Sequence, residues 1–144
     1  MSDWFVGFRP MLKQPRGTAT QKFSHALDVS SPASTVFTVL TSREGIDALL
    51  DETVRFDVRQ GGKLRFLSAG DDGYGGTYSR IQVGKRVILL TERHGELDFR
   101  LKEKGAATEI TLKASRLCSP DEVTEWSASM GTISTRLGEH LGAA

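Results

Sequence analysis

The sequence predicts an α+β fold: one curved antiparallel β-sheet of about seven strands wraps around a long C-terminal helix, in the order strand, two short helices, six strands, helix. Three observations lead there. Between residues 53 and 117, segments of apolar–polar alternation are divided by short Gly-rich turns, the pattern of an antiparallel meander. After Ser119-Pro120, apolar residues recur at spacings of three and four as far as Leu141, which makes one long amphipathic helix. A sheet with one apolar face must hide it, and a helix of that length supplies the cover.

Residues 1–21 carry Pro10, Pro15 and Gly17 and no sustained period, so they read as an N-terminal arm with Trp4, Phe5 and Phe8 as its sticky part. Met11 is an alternative start. The domain proper is 22–144. Its first strand is 23–29, with Phe23, His25, Leu27 and Val29 on one face. Ser31-Pro32 then reads as an N-cap followed by Pro at the first helical position, and Val36, Phe37 and Leu40 form the helix stripe. Ser42 restarts a second short helix carrying Ile46, Leu49 and Leu50.

Strands are expected at 53–59, 63–68, 74–83, 86–93, 96–103 and 108–117. Gly61-Gly62, Gly70-Asp71-Asp72-Gly73, Gly84-Lys85 and Lys104-Gly105 supply turns between them. The alternation is cleanest at Leu97, Phe99 and Leu101, with Glu96, Asp98, Arg100 and Lys102 opposite. Ser119-Pro120-Asp121-Glu122 has the form of a capping box. Val123, Trp126, Met130, Ile133, Leu137 and Leu141 come next as the apolar stripe of the closing helix.

Composition excludes several functions. Nineteen Lys and Arg against 18 Asp and Glu give a net charge of +1, without the basic excess of a nucleic-acid-binding domain. No segment approaches the roughly 18 apolar residues of a membrane span, and the start lacks the positive region of a secretory signal. One cysteine fits a reducing, cytoplasmic setting and cannot build a cysteine zinc site. His25, His94 and His140 are far apart, so no metal motif is present. Around Gly62-Lys63 a phosphate loop fails at Asp57 and Leu64, and Tyr78 stands where a dinucleotide-binding Gly would be needed. No cofactor is expected.

A bent sheet gripping a helix tends to leave a gap at its wide end, a natural ligand site. The apolar candidates for its wall are Phe56, Phe66, Tyr78, Leu89, Phe99, Leu112, Trp126 and Met130. His25 shares the concave parity, either as a polar contact to a ligand or as a satisfied core histidine. Arg80, at the same parity as Tyr74 and Tyr78, either holds a ligand carboxylate or is a solvated strand charge. Cys118 reads as a small buried apolar residue at the strand–helix junction.

The wording of several segments resembles the START-like (SRPBCC, helix-grip) superfamily, and within it the activator of Hsp90 ATPase homologue-like family. The segments are Ser31-Pro32-Ala33 with Val36-Phe37, Thr41-Ser42-Arg43-Glu44-Gly45-Ile46, and Val58-Arg59-Gln60-Gly61-Gly62-Lys63-Leu64. Gly76-Thr77-Tyr78, Arg86-Val87-Ile88-Leu89, Gly105 with Thr108-Glu109-Ile110-Thr111-Leu112, and the helix bearing Trp126 continue the match. Where family members usually place a Trp, this chain has Asp47-Ala48-Leu49-Leu50, which implies a different pocket rim. The resemblance implies a ligand cavity without one set reaction. The expected function is therefore binding of a small hydrophobic or amphipathic molecule. The alternatives are a protein-interaction module (chaperone-linked, stress-related or homodimeric) with a filled core, and a polyketide cyclase-like enzyme.

Overall fold

The computed structural model describes residues 16–68 and 70–142. The elements are β1 (Ala19–Val29), α1 (Ala33–Leu40), α2 (Arg43–Leu49), β2 (Thr53–Phe56), β3 (Lys63–Phe66), β4 (Tyr74–Gln82), β5 (Arg86–Thr91), β6 (Gly95–Lys104), β7 (Ala107–Cys118) and α3 (Val123–Leu141). All seven strands lie in one antiparallel sheet ordered β1-β7-β6-β5-β4-β3-β2. The chain leaves one edge at β1, crosses through α1 and α2 to the other edge at β2, and meanders back until β7 lies beside β1. Residues 1–15, with most of the expected arm, lie outside the described residues. The strand itself begins inside the expected arm, because Ala19 pairs with Cys118 at the far end of β7.

One face of the sheet is the core. Leu64, Phe66, Tyr74, Tyr78, Val87, Leu89, Leu97, Phe99, Ile110 and Leu112 are buried against Trp126, Met130, Ile133 and Leu137 of α3 and against Val36, Leu40, Ile46 and Leu49 of α1 and α2. Fully burying one such large side chain is worth roughly 1.5–3 kcal/mol, so this face dominates stability.

Several local readings are corrected. Ser31 does not cap α1; its Oγ donates to the Leu141 carbonyl at 3.1 Å, and the Ser30 N–H donates to Gly142 O at 3.1 Å. The end of a helix offers unpaired carbonyls, and Ser31 satisfies one of them. The start of α1 is instead met by Glu103 Oε2, which accepts from the Ala33 N–H at 3.3 Å, a carboxylate at the positive end of a helix. Half of the capping box forms: Glu122 Oε1 accepts from the Ser119 N–H at 2.8 Å, but the helix proper starts at Val123. Ser42 caps α2 as expected, accepting from the Gly45 N–H at 3.1 Å.

Two register shifts bend the sheet, between Thr53 and Arg55 on β2 and between Tyr78 and Arg80 on β4. Each inserts a residue and reverses the face taken by the next residues of the strand. Tyr78 therefore opposes Leu89 on the core face, whereas Arg80 opposes Ile88 on the outer face and is exposed. The period-two reading that places Arg80 with Tyr74 and Tyr78 fails at this bulge.

Among the described residues the outer face has one buried charge, Asp98, at 3% exposure. Arg86 donates to both of its oxygens, at 3.0 and 2.8 Å, and Arg100 donates to Oδ2 at 3.2 and 3.0 Å. Burial alone would raise the pKa of this carboxyl, but the guanidinium hydrogen bonds prevail and hold it below its ordinary 3.8. Asp98 therefore contributes stability in full above that ordinary value and loses it as pH falls through the lower folded-state value. The Asp98→Asn variant is expected to be less stable than the parent at pH 7, with the gap narrowing at pH 3; urea midpoints at both pH values check this. Gly45 packs α2 against α1 so closely that a Cβ there would lie 1.9 Å from the Val39 carbonyl oxygen. Gly45→Ala is expected to cost about 2 kcal/mol or more, read as a lowered thermal midpoint.

Candidate functional site

Seven of the eight expected cavity-wall residues, Phe66, Tyr78, Leu89, Phe99, Leu112, Trp126 and Met130, are buried in the core. They fill the space between sheet and helix. Phe66 stacks on Tyr74 with ring centroids 4.7 Å apart, and half-buried Phe56 meets Tyr78 edge-on at 6.1 Å. The Tyr78 hydroxyl donates to the Leu40 carbonyl at 2.7 Å, and burial pushes its pKa up, so it stays protonated. Among the described residues α3 is flanked by a groove, a cleft and a smaller recess of about 160 Å³ beside Asp51 and Arg136, and of these buried cavity-wall candidates Trp126 alone lines one of them. Trp126 lines the cleft, His25 lines the groove, and Arg80 lies on the opposite face of the sheet.

The groove, of about 590 Å³, runs between β1 and the C-terminal half of α3. Phe23, His25 and Leu27 form one wall, from alternate positions of β1. Gly131, Ser134, Thr135 and Gly138 form the other, at helical spacing on α3. The glycines leave that wall low: a Cβ on Gly131 would meet nothing within 4 Å. Ser134 is only 4% exposed, and its Oγ has no hydrogen-bond partner among the described residues. Buried hydroxyls are nearly always paired, so this orphan beside the groove is an exception. Glu139 and exposed His25 are the ionisable side chains of the lining. The groove is thus an apolar trough with one buried hydroxyl. Its signal in the sequence is the run of small residues, Gly131, Ser134, Thr135 and Gly138, beside the apolar stripe of the same helix.

The cleft, of about 420 Å³, lies at the other end of α3, with Arg93, Arg116, Glu122, Glu125 and Trp126 in its lining. Its charges are largely spent on one another. Arg93 pairs with Asp71 at 2.6 Å and lies 4.6 Å above the Tyr74 ring, and Arg116 pairs with Glu122 at 3.2 Å. Behind it runs a polar chain that sequence spacing does not reveal. The Tyr74 hydroxyl donates to Asp51 Oδ2 at 2.8 Å and lies 3.3 Å from His94 Nε2. A hydroxyl has one proton, so Tyr74 accepts from Nε2–H and the lone pair of the imidazole sits on Nδ1. Burial lowers the His94 pKa to about 4, which keeps the ring neutral near pH 7. Trp126 Nε1 donates to the His94 carbonyl at 2.9 Å. This chain ties the α2–β2 loop, β4, the β5–β6 turn and α3 together, and its geometry is that of a latch. Among the described residues, no group of three His, Cys, Asp or Glu side chains is placed to hold a metal ion, and no helix is long and apolar enough to cross a membrane.

Solved structures share this architecture. The Aha1 dimer of Colwellia psychrerythraea is 14% identical, with 84% of this chain and 96% of that one aligned at a TM-score of 0.69. An HSP90 activator of Plasmodium falciparum is 16% identical, with 85% and 97% aligned at 0.66. A Bacillus halodurans protein is 13% identical, with 84% and 96% aligned at 0.71. At these identities the likeness is one of fold. No curated protein matches the chain. The model of the family described as activator of Hsp90 ATPase homolog 1-like protein, however, matches residues 30–142. That match runs from the β1–α1 junction to the end of α3 and takes in both faces of the grip: this chain belongs to the activator of Hsp90 ATPase homolog 1-like family.

Proposed function

We propose that this protein binds a small, mostly apolar molecule bearing a polar group, in the groove between β1 and α3. The observation that carries the reading is Ser134: a hydroxyl buried without a partner at an apolar trough. Leaving such a group unpaired costs roughly 1–3 kcal/mol, which a ligand donor or acceptor would recover. Phe23 and Leu27 add the apolar contact, worth roughly 25 cal/mol per Å² covered. Of the residues expected to touch a ligand, His25 takes part directly, at the groove wall, while the core residues hold α3 at its distance from the sheet. No reaction is assigned, since the groove holds no hydrogen-bonded acid–base pair among its described lining residues. The single cysteine, Cys118, buried and free, supports a reducing compartment such as the cytoplasm.

One observation favours a second reading, a protein-interaction module: the space between sheet and helix is filled by aromatic and aliphatic side chains. Proteins of like fold include an HSP90 activator and an Aha1 dimer, which supports a chaperone-linked partner.

Native mass spectrometry of gently purified protein is expected to show a retained small molecule. Gly131→Phe is expected to abolish that retention with the thermal midpoint unchanged, because the new ring projects over open space; retention by this variant would place the ligand elsewhere. Ser134→Ala removes an unsatisfied group. It is expected to leave the ligand-free protein equally or more stable while weakening binding of decanoic acid about tenfold by calorimetry.

A further inference from the structure

The two edges of the sheet are built differently. β2 has four residues and a register shift, features that blunt an edge against pairing. β1 has eleven residues, pairs with β7 at every position without a shift, contains no Pro, and has no strand on its outer side among the described residues. Its charged side chains, Lys22 and Asp28, are exposed and have no ion-pair partner among the described residues. Within the sheet Asp28 stands opposite another acid, Glu109, whose own cation is Lys104 at 3.5 Å. Like charges directly opposed are unfavourable, so Asp28 lacks a cation on its open side.

We propose that this edge pairs with a second copy of the same chain, antiparallel, about a two-fold axis passing at His25. Symmetry restricts the register. A two-fold axis perpendicular to the sheet keeps each side chain on its own face, and directly opposed residues share a face. Only registers centred on a residue are therefore allowed. Centred on His25, the pairing sets Lys22 of one copy opposite Asp28 of the other, twice, and Phe23 opposite Leu27, twice. Small Ser24 meets small Ala26 on the outer face. Centred on Ser24 or Ala26, Lys22 meets Ala26 or Ser30 and both charge pairs are lost. Centred on residue 22 or 28, a charge opposes its own copy. One register alone satisfies both the charges and the apolar face, and it brings together the Phe23–Leu27 walls of two grooves.

Analytical ultracentrifugation of the full chain tests this. A dimer is expected, with the Lys22→Asp and Asp28→Lys variants each dissociating at least about tenfold more readily and the double swap restoring association. Oxidation is expected to cross-link His25→Cys with itself, whereas Ser24→Cys and Ala26→Cys cross-link only when mixed, since opposed Cβ atoms lie about 4.5–5.5 Å apart. Buried Cys118 does not compete. A monomer at high micromolar concentration, a dimer indifferent to the charge swaps, or one in which His25→Cys stays uncross-linked while retaining the parent's thermal midpoint would overturn the proposal.

Discussion

The structure depends on one apolar stripe. Trp126, Met130, Ile133, Leu137 and Leu141 of α3 cover the core face of the sheet, with α1 and α2 extending the cover. The strands supply that face by alternation, broken at the shifts in β2 and β4, and none can bury it alone. The short helices cannot substitute, because α1 and α2 span eight and seven residues. The position of α3 over the sheet therefore decides what is core and what is left open.

The two ends of that helix are held in different ways. At its start, Trp126 donates to the His94 carbonyl, and His94 is fixed in turn by Tyr74 and Asp51. Buried polar chains whose members are satisfied rigidify what they join. At its finish, Ser30, Ser31 and Thr108 tie Gly142, Leu141 and the β1–α1 corner together through single hydrogen bonds. Between these anchors, on the side of the helix that faces β1, lies the groove.

Much of this is legible in the sequence because period two and period 3.6 report which face a residue occupies. Phe66, Leu89, Phe99, Leu112, Trp126 and Met130 all lie on the core side that their spacing predicts. Periodicity does not report whether facing side chains meet, and here the aromatic rings close the space expected to be a cavity. It also assumes an unbroken strand, so the shift before Arg80 leaves no trace in the pattern. Ser31 reads as a cap because the true acceptor for its hydroxyl, the Leu141 carbonyl, lies at the other end of the chain. The same limit hides the Asp51–Tyr74–His94 chain, whose members belong to different elements. The groove wall is visible only as small residues in a helix, which look like a weakness in packing until the facing strand is known.

The uneven placement of the two bulges has a mechanical consequence. Both register shifts fall in the β2–β5 half of the sheet, and the ladders from β5 through β1 run without one. Bulges increase local twist, so the added twist falls on the half of the sheet away from β1. The groove lies against the half without shifts, between the regular strand β1 and the small residues of α3. Its width therefore depends on what α3 omits as much as on the straight pairing of β1, and a large side chain at Gly131 would fill what the strand leaves open.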